Sequence, residues 1–153
     1  MTVLDAYAVT AYLRDEPAAD EVGALLEASD AMLTAVGLGE VLDHLVRLAA
    51  ADEEEAALDL AQLGLLEAIA VDPAVGAAAG RLRARRYHRT RCSVSMADCI
   101  AAEAARHRTA PLATSDPHLL DVCNVEGIDA IVLPGSDGSS WPGPSSRRGS
   151  AGG

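Results

Sequence analysis

Short apolar runs of β type recur along this chain, and each hands over to a stretch with helical spacing. The runs are Thr2-Val3-Leu4, Ala31 to Val36, Leu65 to Val71, Pro111 to Thr114 and Ala130 to Leu133. Between them Val9 and Leu13 lie four apart, Leu38, Leu42, Leu45 and Leu48 keep one register, and Ile100 and Ala104 repeat it. The spacing predicts helices over 6–13, 18–28, 38–51, 53–63 and 97–107, with others opening at Asp72-Pro73 and Asp116-Pro117, where Asp stands at the cap and Pro at the first helical position. Alternation of this kind predicts an α/β domain with a largely parallel sheet, because parallel neighbours need crossover helices between them. Sites on such sheets gather at the carboxyl ends of the strands.

With 153 residues, half of them apolar, the chain is long enough for one domain with a substantial core. Periodicity stops after Leu133. From Pro134 the composition turns to Gly, Ser and Pro, so we expect a domain over 1–133 and a disordered tail over 134–153. Trp141, the only tryptophan, falls in that tail. No apolar run reaches membrane-spanning length and Asp5 interrupts the N-terminal one, which leads us to expect a soluble, cytoplasmic protein. Cys92, Cys99 and Cys123 are odd in number and the four histidines lack zinc-ligand spacing, so reduced thiols and no zinc are expected.

Four acids take the positions where chemistry is expected. Asp5 follows the first run, Glu40 follows the second through a loop bracketed by Gly37 and Gly39, and Asp116 follows Pro111 to Thr114. Asp98 stands in the first turn of the 97–107 helix and can face the same edge. Each has a structural explanation too: Asp116 can be a cap, and Asp98 with Ser95 a capping box. Four carboxylates on one edge repel; two unit charges about 5 Å apart cost roughly 3 kcal/mol at an effective dielectric near 20. Protonation, Arg pairing or a hard cation relieves that cost. Oxygen donors without His or Cys favour Mg²⁺ or Mn²⁺ over zinc, and metal-assisted phosphodiester hydrolysis is the chemistry such a site serves best. No Gly-rich phosphate loop and no Gly-x-Ser-x-Gly is present. A phosphoryl-aspartate hydrolase would usually carry a second Asp at the place of Tyr7.

Taken in order, Val3-Leu4-Asp5-Ala6-Tyr7-Ala8, Gly39-Glu40-Val41-Leu42, Ser95-Met96-Ala97-Asp98 and Thr114-Ser115-Asp116 resemble a PIN domain of the VapC toxin type, over about residues 2–133. The resemblance implies a metal-dependent endoribonuclease of a toxin–antitoxin pair, with Mg²⁺ or Mn²⁺ as cofactor, a VapB-like antitoxin as partner, and a homodimer. Asp5, Glu40, Asp98 and Asp116 would be its acidic quartet, with Thr114 orienting the last acid or a metal-bound water. Relatives often have Ser or Asn at the place of Tyr7. The rival readings are a housekeeping PIN nuclease without antitoxin and a catalytically idle PIN fold used as a binding module.

Net charge is −11, but its distribution is uneven: residues 1–75 hold two Arg against sixteen acids, and residues 76–153 ten Arg against seven. An acidic average argues against general nucleic-acid coating, whereas a local basic patch still guides a phosphate backbone. Six Arg fall within 81–91, directly before the Asp98 helix. Arg85, Arg86 and Arg89 are the expected phosphate contacts, against the alternative of a solvated face or dimer salt bridges.

Overall fold

The computed structural model describes residues 1–28 and 30–144. At its centre four parallel strands, β1 (Thr2–Leu4), β2 (Ala31–Met32), β3 (Leu112–Thr114) and β4 (Ala130–Val132), form one sheet in the order β2-β1-β3-β4. The helices are α1 (Ala6–Leu13), α2 (Ala19–Glu27), α3 (Ala35–Arg47), α4 (Glu53–Gln62), α5 (Pro73–Arg86), α6 (Met96–His107) and α7 (Pro117–Glu126). The domain is α/β, as the alternation of runs required. Among the described residues no helix is long and apolar enough to cross a membrane.

Successive strand residues point to opposite faces, and the core divides accordingly. Val3 and Leu112 pack with Leu82, Ile100 and Leu119 from α5, α6 and α7. Leu4 and Ala113 pack with Val9, Val22, Val41 and Leu60 from α1 to α4. Both faces are therefore covered, which is why the strand sequences read as continuous apolar runs rather than as alternating ones. On the outer side of α5, α6 and α7, Glu126 joins Arg86 at 2.6 Å, Arg106 at 3.0 Å and Arg85 at 3.3 Å. The three cations hold its carboxyl down at about 2 despite the opposing effect of burial.

Two elements depart from the sequence expectation. Leu65 to Val71 is not a strand of the sheet. Only Ile69 pairs, in an isolated bridge to Thr34, exchanging bonds with Leu33 and Ala35 at 2.8 and 2.9 Å. Gly64 at φ +72° and the Asp72 cap of α5 leave little length between them, and Glu67 and Ala70 face solvent. Secondly, α3 starts at Ala35 and runs through both glycines instead of beginning after them. Thr34 accepts from Gly37 N at 2.9 Å and so supplies the cap. A Cβ at Gly37 would stand 3.3 Å from the Thr34 hydroxyl and 3.4 Å from Leu33, so the glycine lets the helix start lie tight against its cap.

Residues 134–144, assigned to the tail by composition, lie against the domain: Trp141 Nε1 donates to Asp121 of α7 at 3.1 Å. The contacts there are a turn and single hydrogen bonds, with no apolar repeat for composition to register. The rest of the expected tail, 145–153, lies outside the described residues.

Candidate active site

Three of the four expected acids, Asp5, Asp98 and Asp116, stand at helix starts, and capping bonds fix where their carboxylates lie; Glu40 stands in the second turn of α3. Asp5 leaves β1 in an extended conformation and caps α1, its Oδ1 accepting from Ala8 N at 2.8 Å. Its Oδ2 accepts from the Thr114 hydroxyl. Ser95 and Asp98 form a reciprocal capping box on α6, with Ser95 N donating to Asp98 Oδ2 at 2.7 Å. Asp116 caps α7, its Oδ1 accepting from His118 N at 2.7 Å and Leu119 N at 3.1 Å. In Asp98 and Asp116 the backbone occupies one oxygen; Asp98 Oδ1 and Asp116 Oδ2 have no hydrogen bond among the described residues. Glu40, on α3, has neither a hydrogen bond nor an ion pair there. Capping and an open oxygen are thus compatible in one side chain.

The four acids line a single cleft of about 490 Å³ at the carboxyl edge of the sheet, together with Tyr7, Thr34, Ser115 and Gly135 to Asp137. Among the described residues, no Arg, Lys or His lines it. Burial pushes the Asp5 carboxyl up to about 7 against the pull of its Thr114 and Ala8 hydrogen bonds, and the charges of Asp98 and Asp116 add to the rise. Asp98 is raised by burial and by Asp116, with the Ser95 bonds opposing. Glu40 is raised by partial burial, then by Asp98 and Asp43. The acids therefore feel one another, and among the described residues no cation offsets them within the cleft. They are not a ready-made cage: among the described residues, no three His, Cys, Asp or Glu form a group able to hold a metal ion. What fits a hard cation is the donor set, oxygen only, with unoccupied acceptors facing one space.

Thr114, fully buried, connects two of the acids, since its hydroxyl donates to Asp5 and accepts from Asp116 N at 3.1 Å. Thr114→Val should leave the buried Asp5 carboxylate short of a donor and cost about 1–3 kcal/mol of stability at pH 8. Thr114→Ser should stay close to the parent. Urea midpoints of the three proteins check this, and a loss in Thr114→Ser with Thr114→Val close to the parent would mean that the methyl group, not the bond to Asp5, matters.

Elsewhere, Arg85 and Arg86 are both engaged by the single carboxylate of Glu126, which Arg106 shares. Arg89 sits at the tip of a small turn closed by His88 and Cys92, which exchange backbone bonds of 2.8 and 3.0 Å. Arg91, beside it, was not singled out by the sequence; neither it nor Arg89 has an ion pair among the described residues. Ser93 anchors that turn to α7 through His118 Nδ1, 2.9 Å from its hydroxyl. All three cysteines are free thiols. Sequence reasoning also missed Gly135 to Ser139 as cleft lining; only the turn-forming Asp137-Gly138-Ser139 signals a defined conformation there.

Fold and cleft together define a parallel α/β domain with an acidic cleft at its sheet's carboxyl edge. The chain belongs to the PIN domain family, whose model matches residues 2–125. Among solved structures it is similar to FitAcB from Neisseria gonorrhoeae, with 20% identity and a TM-score of 0.62 over 86% of this chain and 96% of that one. It is likewise similar to FitAB bound to an IR36 DNA fragment, with 19% identity and a TM-score of 0.65 over 86% and 94%. No curated protein sequence matches it.

Proposed function

We propose that this PIN domain is a Mg²⁺- or Mn²⁺-dependent endoribonuclease acting as the toxin of a VapBC-type pair in the cytoplasm. The observation that carries the reading is the cleft: Asp5, Glu40, Asp98 and Asp116 share it with no basic side chain among the described residues. Asp5, Glu40 and Asp98 would hold the principal cation, and Asp116 would complete the site. Bound there, the cation supplies an activated water and offsets charge on the scissile phosphodiester. The protein's own part is to aim the carboxylates through the three caps and to keep Asp5 oriented by Thr114. Its partners on this reading are RNA, a VapB-like antitoxin whose cationic groups would suit the acidic cleft, and a second copy of the chain. The direct test is cleavage of a mixed RNA pool with Mn²⁺ and with chelator, for the parent and Glu40→Gln. Cleavage only with the metal and weakened in the variant is expected; no cleavage under any condition would leave a binding module.

Of the expected phosphate contacts, Arg89 is free to serve, and Arg91 beside it joins the proposal. Each phosphate neutralised on a single strand contributes about −0.7 to the slope of log affinity against log salt. Replacing Arg89 and Arg91 with Gln should therefore make the RNA-binding slope less steep by about 1.4. An unchanged slope would take this turn out of the RNA path.

A further inference from the structure

After β4 the chain forms a strap, 134–144, that the family match does not cover, since it stops at residue 125. Gly135, Ser136, Asp137 and Ser139 make one wall of the acidic cleft. The wall is a closed turn: Gly135 N donates to Ser139 O at 2.8 Å, Gly138 N to Gly135 O at 2.9 Å, and Ser139 N to Asp137 Oδ1 at 2.9 Å. Gly138 sits at φ +79°, a conformation that side chains other than glycine's strain to adopt. At the cleft, Ser136 lines the same space as Tyr7, whose hydroxyl donates to Glu16 at 3.0 Å. Further on, Trp141 is latched to Asp121, and Pro144 reaches a groove beside Cys92 and Asn124. The strap thus passes from the cleft to the side of α7.

Residues 136–140 are all exposed, so the wall is held by a few polar contacts and hardly any buried apolar surface. Segments held in that way open at low cost. With the strap down, the cleft has about 490 Å³, the size of a site for one small molecule. An unpaired nucleotide suits such a space; a nucleotide still paired to a second strand brings more bulk, and a second line of phosphates towards Asp137.

We infer that the strap determines substrate form, because it narrows the acidic cleft to a space for unpaired nucleotides and must leave Tyr7 and α7 before a folded RNA reaches the carboxylates. The inference rests on the ribonuclease reading. If a folded substrate enters only when the strap is free, its kcat/KM is proportional to the free fraction. Losing one hydrogen bond from the latch raises that fraction about fivefold.

Asp121→Ala removes the Trp141 acceptor, and Gly138→Ala strains the turn at the other end; neither residue belongs to the carboxylate set. Trp141, as the only tryptophan, reports the latch through its emission and its quenching by acrylamide. Both variants should quench more readily than the parent and cleave a stable hairpin RNA about fivefold faster, while kcat/KM on a short unstructured oligonucleotide stays the same. A hairpin-to-oligonucleotide ratio that stays put while quenching rises would overturn the inference. So would an equal fall on both substrates, the mark of a purely structural strap, or quenching unmoved in both variants, which would mean that nothing latches. If the parent cleaves neither RNA, it is the nuclease reading that fails; equilibrium binding of the same two RNAs then decides the strap, by the same ratio.

Discussion

Asp5→Asn should make the metal-free protein more stable at pH 8 and abolish its cleavage of RNA. Asp5 is buried, and its carboxyl rises from the usual 3.8 to about 7. A carboxyl raised in the folded state binds its proton more tightly there than in the unfolded chain. The penalty for ionising it is fully present above pH 7 and shrinks as the pH falls towards 3.8, where the proton is bound in both states. Each pKa unit corresponds to about 1.4 kcal/mol, so the penalty at pH 8 is on the order of 4 kcal/mol. Asn keeps the shape and an acceptor for Ala8 N but carries no charge. Chemical denaturation with chelator present should therefore show the variant ahead by a few kcal/mol at pH 8, with the gap closing by about pH 4. Cleavage should fall on the order of a hundredfold or more, since a first ligand and several kcal/mol of charge stabilisation go with it. A variant less stable than the parent across the range would show that Asp5 contributes to the fold rather than working against it.

Asp116→Asn separates capping from charge at another corner of the cleft. Asn is about as good an N-cap as Asp, and its carbonyl oxygen replaces Oδ1 towards His118 N and Leu119 N. What disappears is the charge and the open Oδ2. Without metal, the variant should melt at or above the parent's temperature. With Mn²⁺ at a hundredfold excess over its dissociation constant, the parent should gain about 2.7 kcal/mol, and the variant distinctly less. Equal gains in the two proteins would remove Asp116 from the metal site and leave it as a cap.

The fold was legible because the strand runs are short, apolar and punctuated: Thr2-Val3-Leu4 before Asp5 and Leu112 to Thr114 before Asp116 each end at a cap that marks the next helix. Caps misled in one place only. Gly37 and Gly39 read as loop punctuation, yet Thr34, three residues before the first of them, caps α3. The Leu65 to Val71 run carries β-type residues, but pairing depends on neighbours far away in the chain, and only Ile69 finds one. For the acids, sequence spacing indicated which ones share an edge. It did not indicate that Asp5 is the buried member of the set, because that burial comes from packing against β3 and Thr114 rather than from the residues beside it. Arg85 and Arg86 show the same limit: a run of Arg announces charge, while their partner Glu126 lies about forty residues on. Tyr7 and the turn from Gly135 to Ser139 meet across the whole domain, and no local pattern connects them.

The central claim is that the acidic cleft binds a divalent cation. Calorimetric titration of chelator-treated protein with Mn²⁺, at fixed ionic strength and in the presence of excess Ca²⁺-free monovalent salt, tests it most directly. The account predicts saturable binding by the parent, accompanied by proton release near neutral pH as Asp5 ionises, and its loss in Asp5→Asn. No saturable binding, or binding that survives intact in Asp5→Asn, would contradict it.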